Sequence, residues 1–291
     1  MTADPIERTE VLAADRAEAL ADLLGADSHP DSILPPLWHW VYLLDRPRTS
    51  DLGPDGHPVR GVVPTPPGPG QRRRFAGGRV RILRPLRIGM SATRRSRAGV
   101  STVKHGRSGR MEFVTVHTEI AQAGEVAVVE EQDVVYLDGP PDVSAASSSR
   151  RGPSDPSPRG RTLTVEFGQI SSFTVTPAAL FRFSALTYNA HRIHYDRDYA
   201  RGVEGYPDLV VHGPLQALLM SERLRRTADE FPVAVEFRLV APLVLGQGLH
   251  VGSIHEPELM QVSALVADDN GRTVATMRAK WTEAGLGAEG I

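Results

Sequence analysis

Asn189, His191, Arg192, His194, Tyr195 and Asp196 fall within eight positions of one another, and His212-Gly213-Pro214 opens an apolar run shortly after them. Imidazole titrates near neutral pH, so His194 is the first candidate for general acid–base chemistry. His191 stands three positions earlier, a spacing that puts both rings on one face of a helical turn. Asn189 takes no proton and can only orient a water or a neighbour through its amide. The N–H of Gly213 sits where the expected helix begins. Glycine permits close approach there, and the helix dipole favours negative charge. Pro214 has no N–H, which leaves Gly213 as the donor. Other readings of the same residues remain open. His212 suits a structural role at the turn, and Asp196 and Asp198 suit caps or a carboxylate partner. His191, His194, Asp196 and His212 also carry the nitrogen and oxygen donors of a metal site, although no metal is expected.

The elements that must position this cluster can be read along the chain. Thr9–Leu24 has helical apolar spacing and Gly25 as a stop. The aromatic knot Leu34-Pro35-Pro36-Leu37-Trp38-His39-Trp40-Val41-Tyr42 reads as a core anchor or a pocket wall. Pro47–Gly78, rich in Pro, Gly and Arg, reads as a long surface loop that covers something. Its Arg72-Arg73-Arg74 reads as a solvated charge run or a phosphate contact. Four strand-like pieces follow: Arg79–Leu86, Ser91–His105, Met111–Ile120 and Glu125–Tyr136.

The Pro/Ser/Gly-rich stretch 138–160 reads as a flexible linker between an N-terminal half, 1–137, and a C-terminal half, 161–291. The second half reads as a strand at Arg161–Phe167, a helix at Pro214–Arg225, strands near Val233–Val240 and Leu249–His255, and a hairpin over Gln261–Trp281. The turn of that hairpin holds Asn270-Gly271. The halves repeat: Arg84-Pro85-Leu86-Arg87-Ile88-Gly89 corresponds to Ala241-Pro242-Leu243-Val244-Leu245-Gly246, and Thr9–Leu24 is matched to Pro214–Arg225. The predicted fold class is α+β, an antiparallel sheet wrapped around a long helix, twice.

Composition narrows the function classes. The 291 residues carry a formal charge of -2, which gives no basic field for nucleic acid. With no cysteine there is no disulfide, thiolate metal site or cysteine nucleophile. No apolar run reaches the ~18 residues of a membrane span, and the polar N-terminus lacks a secretory pattern. The expectation is a cytoplasmic protein without nucleic-acid or membrane partners.

Phe183-Ser184-Ala185-Leu186-Thr187-Tyr188-Asn189-Ala190-His191-Arg192-Ile193-His194-Tyr195-Asp196, followed by Val211-His212-Gly213-Pro214-Leu215, resembles the hydratase motif of MaoC-like enoyl-thioester hydratases. With Pro35-Pro36-Leu37-Trp38-His39-Trp40 and Val128–Tyr136, it looks closest to their double hot-dog branch. That branch holds hydroxyacyl-thioester dehydratase type 2, itaconyl-CoA hydratase and 3-methylfumaryl-CoA (mesaconyl-C4-CoA) hydratase. The resemblance implies a tandem hot-dog fold, with the active site in the second half. It also implies a hydro-lyase that needs no cofactor and takes an acyl-CoA or acyl-carrier thioester, with a homodimer as a possible assembly. In the motif of that family an Asp and a His work on the water. The His falls on His194, whereas the Asp falls on Asn189, the Asn on His191, the Gly on Tyr188 and the Pro on Arg192.

Catalytic work would then divide among His194, Asn189 and His191, with Gly213 as oxyanion donor and Tyr188 and Arg192 in substrate binding. A dicarboxylic acyl group needs a cation, for which Arg192 comes first and Arg182 and Arg238 follow. Arg79, Arg84, Arg94 and Arg95 are available for CoA phosphates. The expected reaction is hydration of 3-methylfumaryl-CoA to citramalyl-CoA. The alternatives are itaconyl-CoA, straight-chain (R)-3-hydroxyacyl thioesters, or a non-catalytic acyl-thioester-binding module.

Overall fold

The computed structural model describes residues 5–27, 29–64, 66, 71–106, 109–137, 169–226 and 231–281. The expected linker at 138–160 and the strand at Arg161–Phe167 lie outside the described residues. The first half contributes β1 (Ile6–Val11), α1 (Ala14–Leu24), β2 (Arg72–Ile82), β3 (Ser91–Ala98), β4 (Thr102–Gly106), β5 (Gly109–Gln122) and β6 (Glu125–Leu137). The second contributes β7 (Gln169–Ser172), α2 (Pro177–Leu186), α3 (Arg197–Gly202), α4 (Gly213–Arg225), β8 (Ala234–Leu239), β9 (His250–Glu256), β10 (Gln261–Ala267) and β11 (Thr273–Lys280).

All eleven strands join one antiparallel sheet in the order β1-β3-β5-β6-β2-β8-β11-β10-β9-β7, with β4 on β5. Each half has the same internal order, and the halves meet where Gly77–Arg81 of β2 pairs with Ala234–Arg238 of β8. The two halves therefore form one continuous sheet with β1 and β7 at its ends. The α+β expectation is met.

The matched segments superpose in detail. Arg87 bridges Ile33 as Val244 bridges Val210. The Leu34 N–H bonds the Leu86 carbonyl at 2.8 Å, and the Val211 N–H bonds the Leu243 carbonyl at 2.8 Å. This pairing corrects the helix correspondence. Val211-His212-Gly213-Pro214 leads into α4, so its counterpart is Leu34-Pro35-Pro36-Leu37, which leads into the single 3-10 turn Trp38–Val41. In chain order α1 follows β1 as α2 follows β7, so α1 matches α2 and not α4.

Three other boundaries shift. Residues Thr9–Val11, read as the start of the helix, belong to β1. Ser91–His105 divides into β3 and β4 around Gly99, whose N–H bonds the Thr115 carbonyl at 2.8 Å. Arg72–Gly78, read as the end of a loop, belongs to β2. Glycine and arginine are poor strand formers by composition, but β2 is central, hydrogen-bonded on both edges by β6 and β8, and tertiary pairing overrides local preference.

The main core runs through both halves. It joins Leu20, Trp38 and Ile120 with Phe183, Leu215, Leu218 and Phe237. The aromatic knot is both anchor and wall: Trp38 is fully buried and its indole N–H donates to Glu222 at 2.9 Å, while Trp40 reaches the cavity described next.

Candidate active site

A cavity of about 720 Å³ lies where the repeat is broken. In the second half α4 packs across β9, β10 and β11. In the first half only the 3-10 turn stands at the equivalent point of the chain. Ser96 of β3, Thr118 of β5 and Gln132 of β6 line this cavity together with His191, His194 and Gly213. A helix not built is the physical origin of the pocket.

His194 is buried, and its Nδ1 lies 2.7 Å from the Val210 carbonyl oxygen. A carbonyl only accepts, so Nδ1 carries the proton and Nε2 is left as a base. Burial, opposed by that hydrogen bond, pushes the pKa of His194 down to about 4. His212 stacks on it with ring centroids 3.6 Å apart. His212 has no exposed surface, and its Nε2 lies 2.9 Å from Ser184 Oγ, which supports the structural reading. His191 sits edge-on to His194 at 5.4 Å, and burial first, then neighbouring imidazoles, hold it well below its ordinary pKa.

Asn189 accepts the backbone N–H of His191 at 3.0 Å through Oδ1, which sets the entry to the turn Arg192–His194. Gly213 is the first residue of α4 and lines the cavity; a Cβ on it would collide with Leu239. Tyr188 lies on the cavity rim with positive φ (51°) and a half-exposed side chain.

Arg192 does not line the cavity. Its Nη2 lies 2.7 Å from Asp196 Oδ2, and its guanidinium covers the Tyr199 ring at 4.1 Å. Asp196 caps α3 by accepting the Tyr199 N–H at 3.0 Å. Both are therefore committed to local structure. Arg238 is exposed and pairs with Glu236, and Arg182 is outside the cavity lining. Arg79, Arg84, Arg94 and Arg95 each have a carboxylate partner: Asp133, Glu125, Asp45 and Glu7, respectively.

Sequence reasoning missed two contributions from the Pro47–Gly78 segment. The first is Asp55-Gly56-His57. The His57 ring lies 4.0 Å from His191, and His57 Nδ1 lies 3.2 Å from Asp55 Oδ2. The loop is fastened to the His191 turn, since the Arg192 N–H bonds the Asp55 carbonyl at 2.8 Å and Arg192 Nη1 bonds the Pro54 carbonyl at 3.0 Å. Gly56 has φ 86°, and a Cβ there would collide with the Ala190 carbonyl. The available signal was an Asp-Gly turn carrying a histidine in a segment expected to cover something.

The second is Arg73. It lies opposite Tyr136 in the register, lines the cavity, and its charge acts on His57 and His191. Among the described residues no carboxylate pairs with it.

The metal set His191, His194, Asp196 and His212 is not assembled. Among the described residues, the group whose donor atoms come within 4.8 Å of one another is Asp55, His57 and His191.

Comparison with known proteins identifies the family and the fold. Residues 37–245 match the family model for hydroxyacyl-thioester dehydratase type 2. The chain is 45% identical over 246 residues to the mesaconyl-C(4)-CoA hydratase of Chloroflexus aurantiacus, covering 82% of this chain and 83% of that protein. Among solved structures, a MaoC-like dehydratase from Phytophthora capsici superposes with a TM-score of 0.68 at 15% identity, covering 96% of each chain. A Mycobacterium tuberculosis protein with a double hot-dog fold gives a TM-score of 0.57 at 14% identity, covering 95% of each chain.

Proposed function

The chain belongs to the hydroxyacyl-thioester dehydratase type 2 family and is a hydro-lyase of double hot-dog fold, and from that premise we propose that it hydrates 3-methylfumaryl-CoA (mesaconyl-C4-CoA) to citramalyl-CoA. The similarity to the Chloroflexus hydratase across four-fifths of both chains supports the substrate. The observation that carries a dicarboxylic acyl group is Arg73, a cavity cation without a carboxylate partner among the described residues, beside the histidines. In 3-methylfumaryl-CoA the free carboxylate is attached to the carbon that receives the hydroxyl. The cation that holds it must therefore stand next to the base that activates water. Arg73 lines the same cavity as His194 and its charge acts on the neighbouring His57 and His191, and a guanidinium holds a carboxylate in a planar, bidentate fashion.

The reaction runs with one proton in circulation. Nε2 of His194 takes a proton from water as the water oxygen bonds the carbon β to the thioester. The π electrons move to the thioester oxygen, where the N–H of Gly213 at the start of α4 stabilises the enolate. The His194 imidazolium then returns the proton to the α-carbon. Asn189 and His191 hold the turn on which His194 is carried, and Tyr188 borders the acyl entrance.

Loss of absorbance at the enoyl-thioester band, followed with 3-methylfumaryl-CoA, itaconyl-CoA and crotonyl-CoA, tests the proposal. The first is expected to show the highest kcat/KM. Crotonyl-CoA in first place would instead favour the straight-chain reading that the family match also supports, and inactivity with all three would end the hydratase reading.

A further inference from the structure

A proton taken up by this site lands among three buried imidazoles and one that is partly buried, His57. His57, His191, His194 and His212 are all held below their ordinary pKa, burial being the largest cause for each. The ring contacts run without a break: 4.0 Å from His57 to His191, 5.4 Å on to His194 and 3.6 Å on to His212. A cation in such surroundings is expensive unless a carboxylate compensates it. Asn189, on the same turn, has no charge to offer. Glu130, a carboxylate in the cavity wall, is already engaged by His39 at 3.2 Å and Trp40 at 2.7 Å.

The carboxylate that reaches the cluster is Asp55. It lies behind His57, which itself lines the cavity. Asp55 accepts both the backbone N–H of His57, at 3.0 Å, and its Nδ1, at 3.2 Å, so it fixes the ring and leaves Nε2 as the free nitrogen. Burial would raise the pKa of Asp55, but the hydrogen bond and charge of His57 more than offset this, so the carboxylate is ionised.

We propose that the Asp55–His57 pair, carried by the loop of the first half, is part of the proton-transfer machinery. His57 shares the water proton with His194, and Asp55 is the positioning residue behind it. The proposal rests on the hydratase reading above. In the step itself, the O–H bond of water breaks as its oxygen bonds the β-carbon. The proton is held between imidazoles whose positive charge Asp55 balances, and it then bonds the α-carbon of the enolate. No proton or electron is gained overall. The site is thus built across the repeat, one imidazole from each half.

Steady-state kinetics of the full chain with 3-methylfumaryl-CoA, for wild type, Asp55→Asn, Asp55→Glu and His57→Gln, test this. His57→Gln is expected to lower kcat about 10²-fold, in line with loss of a general acid–base group, with little change in KM. Asp55→Asn is expected to lower kcat and to move the acid limb of the kcat/KM profile to lower pH, with partial recovery in Asp55→Glu. The groups facing the pair are His191, Arg73, Tyr199 and Glu204, and none of them changes in these variants. Thermal unfolding of each variant at pH 7.5 serves as the control for folding. Histidine ¹⁵N spectra, read without substrate, should show His57 protonated at Nδ1 in wild type and lose that preference in Asp55→Asn.

Wild-type turnover in His57→Gln, or an unmoved acid limb in Asp55→Asn, overturns the assignment. So does wild-type activity that a chelator abolishes and Zn²⁺ restores, which would make Asp55, His57 and His191 a metal site. Inactivity of wild type on every enoyl thioester would strike the hydratase reading first, and this inference with it.

Discussion

The most instructive side chains are the arginines. Arg192 was the first choice as carboxylate clamp because it stands where the family motif has proline, yet its guanidinium is committed to Asp196 and Tyr199. Arg73, more than a hundred positions earlier, is the one that faces the histidines. Arg73→Met is accordingly expected to lower kcat/KM for 3-methylfumaryl-CoA about 10- to 100-fold while changing crotonyl-CoA little, since a charge-assisted hydrogen bond contributes about 1.5–3 kcal/mol. Arg192→Met should affect both substrates alike. Equal losses in Arg73→Met would remove it from specificity. For the base, His194→Ala is expected to reduce kcat by about 10²-fold or more in protein shown to be folded by thermal unfolding, and a fully active variant would exclude it. His194 was singled out by the resemblance of the stretch Phe183–Asp196 to a family motif, which is a local record. The role of Arg73 was not, because it depends on which face of a strand lines the cavity.

At the scale of elements, the loop that carries His57 works only if its backbone seats against the Ala190–Arg192 turn. Gly56 and Gly61 both have positive φ, 86° and 71°, but only a Cβ on Gly56 meets another chain segment. Gly61→Ala is expected to cost about 1 kcal/mol of backbone strain with activity retained. Gly56→Ala should cost more and also depress kcat by lifting His57 away from His191. Denaturant unfolding paired with turnover measurements separates the two, and equal activity in both variants would show that loop seating is irrelevant. The helix α4 and the hairpin at Asn270-Gly271 were readable because apolar spacing and turn chemistry are nearest-neighbour properties. The early start of β2 was not, because only pairing with β6 and β8 makes a strand of Arg72–Gly78.

For the whole molecule, the histidine cluster, buried except for the partly exposed His57, links stability to pH. His57, His191, His194 and His212 have lower pKa values folded than unfolded, so the unfolded chain binds protons first as pH falls. Stability must therefore decline through the window from about 6.5, the ordinary value for histidine, toward the value of about 4 reached by His194. Each fully affected histidine contributes about 1.4 kcal/mol per pH unit within that window. Urea midpoints taken between pH 8 and pH 5 are expected to be flat above about pH 7 and to fall below it. A midpoint independent of pH down to 5 would mean that the cluster is not neutral and buried in solution.

By itself the sequence determined the α+β class, the repeated segment, the strands near Val233–Val240 and Leu249–His255 with the hairpin over Gln261–Trp281, and the candidate acid–base residue. Apolar period, glycine turns and a fourteen-residue motif are all local records. Only the tertiary structure decided that the first-half counterpart of α4 is a single 3-10 turn, that the space left is the cavity, and that Arg73 and His57, the latter backed by Asp55, line it. Those facts depend on which surfaces meet when two unequal copies of one unit share a sheet. No spacing along the chain encodes that meeting.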